Sequence, residues 1–155
     1  PLIYSSTLKS ATAGLPSPTA GLTFNATPNF VFGASTGGSL VVQNVGNYIT
    51  PPVVTIQGPM TNPVITFTST GQFMKFNITL GVSDVLVIDM GARTVTLNGT
   101  AGRFNTIATG STWWGIPAPT ASNPTGTWSI GLGSSDSASV AGTFTFTWRD
   151  AWGFM

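Results

Sequence analysis

Apolar and polar positions alternate with a period of two along much of this chain, most cleanly in Val140 to Arg149, and the stretch the rest is organised around is Asp84 to Gly99, DVLVIDMGARTVTLNG. Two runs of β-branched and aliphatic residues flank Met90-Gly91, which predicts a β-hairpin pairing Ile88 with Arg93, Val87 with Thr94 and Leu86 with Val95. Side chains alternate across a strand, so Leu86, Ile88, Val95 and Leu97 share one face and Val85, Val87, Thr94 and Thr96 the other. Met90 suits a tight type I′ turn poorly, and a longer loop from Asp89 to Ala92 fits equally well. Such a hairpin needs further strands over its apolar face.

The flanking sequence supplies them. SLVVQNVGN reads as a strand ending in a turn at Gly46-Asn47, and VVTIQG places Val54 and Ile56 on one side. VITFTS and FMKFNITL follow, the latter with Met74, Phe76, Ile78 and Leu80 on one face. Trp128 to Leu132 alternates again, and in Val140 to Arg149 the side chains of Phe144, Phe146 and Trp148 oppose those of Thr143, Thr145 and Thr147. Leu22 to Phe24 and Phe30 to Phe32 read as short edge strands. Residues 1–20 are a Ser, Thr, Ala, Gly and Pro mixture read as a linker or strap, which leaves 21–155 as one domain. From Thr100 to Thr127 no period holds, and Pro117, Pro119 and Pro124 exclude a central strand. No window shows helical spacing. The class is all-β, an antiparallel two-sheet β-sandwich of jelly-roll or galectin-like type.

Composition narrows the chemistry. Histidine and cysteine are both absent from the 155 residues, which removes the usual general base, the commonest metal ligand, disulfides and every Ser-His or Cys-His nucleophile pair. The four acids, Asp84, Asp89, Asp136 and Asp150, read as strand-end and turn residues; Asp84 and Asp89 have opposite strand parity and cannot face each other across a cleft. Asp136 with neighbouring Ser and Asn oxygens lacks the dense acidic spacing of a calcium loop. The expectation is no enzyme, no metal and no cofactor.

Charged residues are only 6% of the chain and the net charge is +1. Five dispersed cations form no basic stripe, so nucleic acid is not an expected partner. No apolar run approaches the ~20 residues that span a bilayer, and membrane insertion is not expected. A nearly uncharged surface favours association, as in a subunit of an assembly. The chain begins with Pro1 rather than Met, which reads as a processed chain or a fragment.

Aromatic residues are the remaining candidates for recognition. Trp128 and Trp148 sit on alternating strands and are expected in the core. Adjacent Trp113 and Trp114 cannot both face inward if extended, so one is expected at an interface or against a glycan. Trp152, Phe154 and Met155 form an apolar tail with the same candidate role.

The string DVLVIDMGARTVTLNG, the later WWGIPAP with Asn123 following, and a last strand ending WRDAW together resemble the carboxy-terminal domain of siphophage distal tail proteins. GNYITPPVVTIQGPMTNPVI resembles the segment preceding that motif. One departure is the longer Ile116 to Asn123 loop, where the family commonly has a compact Leu-Pro-Pro-Gly-x-Asn turn. The resemblance implies a galectin-like sandwich in a ring-forming structural protein of the virion tail. It further implies a homo-oligomer, hexameric in the family, with other tail or baseplate proteins, including receptor-binding proteins, as partners and a host-surface glycan as a further candidate. The alternatives are a carbohydrate-binding module or adhesin using the exposed tryptophans, and a capsid decoration or tail-tube subunit.

Overall fold

The computed structural model describes residues 2–15, 37–136 and 141–153. Two antiparallel sheets face each other across one apolar core. The larger has six strands: β2 (Lys9–Gly14), β13 (Thr143–Trp148), β4 (Val53–Gln57), β9 (Val85–Asp89), β10 (Thr94–Leu97) and β11 (Ala101–Gly102), in that spatial order. The smaller runs β3 (Gly37–Gln43), β12 (Thr127–Gly133), β6 (Val64–Phe67), β7 (Gln72–Lys75). A short pair, β5 (Met60–Thr61) with β8 (Thr79–Leu80), closes one end, and β1 (Leu2–Tyr4) with β14 (Ala151–Gly153) forms a ribbon at the other.

Alternation decides which residues meet. Val54, Ile56, Leu86, Ile88, Val95, Phe144 and Phe146 point inward from the larger sheet and are almost fully buried, as are Ile65, Phe67, Met74 and Ile130 from the smaller one. The larger sheet's outer face carries the row Thr12, Thr145, Thr55, Val87, Thr96 across five strands.

The central hairpin forms with the expected faces and a different register. Asp89 pairs with Thr94, Ile88 with Val95 and Leu86 with Leu97. The shift is two residues, so the parity of every side chain survives. Its cause is the loop: Asp89 Oδ1 accepts the amides of Gly91 and Ala92 at 2.9 Å each, Arg93 takes φ 57°, and Met90 turns into the core instead of occupying a turn corner.

Two further expectations are revised. Within residues 1–20, Leu2–Tyr4 and Lys9–Gly14 are strands rather than linker; the second fits because small Ala11 and Ala13 lie opposite bulky Phe146 and Phe144. FMKFNITL keeps its alternation but splits, β7 pairing with β6 and β8 with β5. The expected strands at Leu22 to Phe24 and Phe30 to Phe32, and the expected boundary between residues 20 and 21, lie outside the described residues.

Candidate functional site

A cleft of about 550 Å³ opens where the ribbon, the loop after β3, the β9–β10 loop and the Trp113-Trp114 segment converge. Each wall has a local cause. Asn44, fully buried, donates from Nδ2 to the carbonyls of Tyr48 (2.7 Å) and Ile116 (3.1 Å) and accepts the Gly46 amide on Oδ1 (3.0 Å). Thr50 and Ile116 exchange backbone hydrogen bonds at 2.9 and 2.8 Å. These bonds hold Tyr48 and Ile49 at the rim, where both are exposed. Opposite them, the tight β9–β10 loop presents Arg93, the only charged residue lining the cleft among the described residues.

The ribbon is tied down by Asp150, buried between Lys9 (2.8 Å) and the Val45 amide (3.1 Å), and by the Tyr48 amide on the Ala151 carbonyl (3.0 Å). Leu2 and Tyr4 share its cleft side, while Ile3 and Trp152, cross-strand partners, share the other face and are 50% and 37% exposed.

Of the sequence's candidate contacts, Trp114 turns inward. Its ring lies between the sheets, 5.4 Å from Phe67 and 6.1 Å from Phe146, so it belongs to the core and only borders the cleft. Trp113, half-buried, lines the cleft and stacks on exposed Phe104 at 6.1 Å. Trp152 is exposed, and Phe154 and Met155 lie outside the described residues. Trp148 is buried as expected; Trp128 is half-buried against the core and donates to the Pro117 carbonyl at 3.0 Å. Sequence reasoning missed Tyr4, Tyr48, Ile49 and Arg93 as site residues. The one signal was a pair of bulky apolar side chains, Tyr48-Ile49, placed just before a Pro-Pro break.

All four carboxylates are built into turns or the ribbon anchor. The Asn98 side-chain amide and the Gly81 amide hold the Asp84 carboxyl below its ordinary value. At Asp136, burial pushes the carboxyl up, but donors led by the Thr61 amide, 2.7 Å away, outweigh it and the net direction is down. A depressed folded-state value stabilises above the unfolded value of 3.8 and is lost as pH falls through the folded one. These two groups therefore contribute a steady stability from about pH 5 upward and a decline below about pH 4. Thermal unfolding across the acid range checks this, with Asp136→Asn expected to flatten the acid limb.

The family model described as "Siphovirus-type tail component, C-terminal domain" matches residues 45–152. No curated protein matches the chain. Among solved structures, the crystal structure of the SPP1 Dit protein, titled a paradigm of the hub adsorption apparatus in phages infecting Gram-positive hosts, is similar with a TM-score of 0.64 at 11% identity. The likeness covers 100% of this chain and 49% of that one, so the chain spans about half the length of the SPP1 protein. At that identity the solved structure supports the fold, while the family match extends through most of both sheets and all the cleft walls except Leu2 and Tyr4: the chain belongs to the siphovirus-type tail components, proteins of the virion tail, in their C-terminal domain.

Proposed function

We propose that this sandwich is the outer body of a distal tail protein that closes into a homo-oligomeric ring, and that its work is to dock neighbouring tail proteins rather than to catalyse a reaction. The observation that carries the reading is the free face of the ribbon. Ile3 and Trp152 stand side by side on a two-stranded element and each leaves a third to a half of its surface exposed, in a chain with too few charges to keep such a face solvated and repelling. A neighbouring copy of the chain is the occupant that fits a symmetric assembly. The outer face of the larger sheet, without a charged residue except Asp89 at its end, favours the same close association.

Sedimentation of the full protein at micromolar concentration is expected to give a discrete oligomer, and Ile3→Ser with Trp152→Ser to shift it toward monomer with the fold intact. A strict monomer, or an oligomer indifferent to both changes, contradicts the reading. A second reading, recognition of a carbohydrate, is favoured by one observation of its own: Trp113 lines a concave cleft with two tyrosines.

A further inference from the structure

We propose that the cleft bounded by Tyr48, Arg93 and Trp113 binds an acidic saccharide, its ring packed on the aromatic walls and its carboxylate or phosphate paired with Arg93. This deepens the carbohydrate reading and does not depend on the ring.

The walls select for this chemistry by what they offer and by what they have already committed. Trp113, Tyr4 and Tyr48 supply aromatic surface of the kind that packs on the C–H faces of a pyranose, and about 550 Å³ is the size of an ordinary small-ligand site. The two tyrosine hydroxyls bond no described residue and remain able to donate to or accept from sugar hydroxyls.

Arg93 settles the charge. It is exposed, makes no ion pair or hydrogen bond among the described residues, and is the sole charged residue among those that line the cleft and are described. Its planar fork matches a carboxylate or phosphate in a bidentate pair. Asp89, the acid of the same loop, is bonded to the amides of Gly91 and Ala92. Arg93 also stands at φ 57°, a conformation that glycine takes more readily than an L side chain.

An extended peptide is the competing ligand class, and the backbone argues against it. Strand addition needs free amides and carbonyls along the groove. Here the Tyr48 amide bonds Ala151, the Thr50 amide and carbonyl bond Ile116, the Met90 amide bonds Pro52, and the Gly91 amide bonds Asp89. At these positions the amides are committed, and a ligand meets side chains instead.

The test uses the full protein and three probes, trigalacturonate, glucose 6-phosphate and neutral maltotriose, read by saturation-transfer NMR with titration of tryptophan fluorescence. One or both charged probes are expected to bind saturably, at least about tenfold tighter than maltotriose; which of them binds identifies the anionic group. Arg93→Gly is expected to abolish that preference while leaving the melting temperature unchanged or raised, because glycine relieves the positive φ. Trp113→Ala is expected to remove binding of all three, and Ile3→Ser with Trp152→Ser to leave it intact, which separates this site from the docking face. No saturable binding, equal binding of charged and neutral probes, or a charged-probe affinity unmoved by Arg93→Gly overturns the proposal.

Discussion

Trp114→Ala is expected to lower unfolding stability by about 3–5 kcal/mol, a loss typical of emptying a buried aromatic site. The indole fills the gap between the two sheets at the cleft end, with Phe67 of the smaller sheet and Phe146 of the larger within 6.1 Å of it, so its removal leaves a void that neither sheet can close without moving. Trp114→Phe separates volume from polarity. The Trp114 Nε1–H is buried with no partner among the described residues, and an unmet buried donor costs about 1–3 kcal/mol. Phenylalanine removes that donor along with part of the ring, and the two effects partly offset. Trp128→Phe is the contrasting change, because there the donor bonds the Pro117 carbonyl and its loss leaves an acceptor unpaired. Urea unfolding of the three variants is expected to rank Trp114→Ala as the most destabilised, with Trp114→Phe milder than its lost volume alone predicts. A Trp114→Ala protein as stable as the parent would show that the sheets do not rest on this ring.

The parts of the fold that were legible are those in which a side-chain period coincides with burial. Phe144, Phe146 and Trp148 against Thr143, Thr145 and Thr147 is such a case, and so are both faces of the β9–β10 hairpin. The hairpin's register was not, because a shift of two leaves the face pattern unchanged and only the Asp89 side chain, reaching two amides, selects between the alternatives. β2 escaped notice since its inward residues are alanines, recognisable as core only once Phe144 and Phe146 lie opposite them. The aperiodic stretch around Ile107 covers the edge of β7 through backbone bonds, Asn77 N–H to Thr106, Ala108 N–H to Lys75 and Thr112 N–H to Phe73, which leave no trace in side-chain spacing. At the candidate site, adjacency alone implied that Trp113 and Trp114 could not both face inward, but in an aperiodic stretch nothing in the sequence told which of them does. The cleft itself was not, because its walls come from four segments that are distant in the chain.

Asn44 shows how much such a site depends on one residue that reads as an ordinary turn former. Asn44→Ala is expected to destabilise the protein by about 2–4 kcal/mol, since two carbonyls and one amide in a dry corner lose their partner together. Asn44→Asp is expected to do more harm despite its matching shape: the Nδ2 group that donates to the Tyr48 and Ile116 carbonyls becomes an oxygen facing two oxygens, in a position with no exposure to water. Both changes also loosen the loop that holds Tyr48 and Ile49, so probe binding in the cleft is expected to weaken even below the denaturation midpoint. Denaturant titration gives the ranking, and exchange of the Gly46 amide reports the local opening. If Asn44→Ala changed stability by less than about 0.5 kcal/mol, within the range of ordinary surface substitutions, the cleft wall would have to be held by the Thr50 and Ile116 pairing alone, and the coupling between core stability and the binding face would be lost.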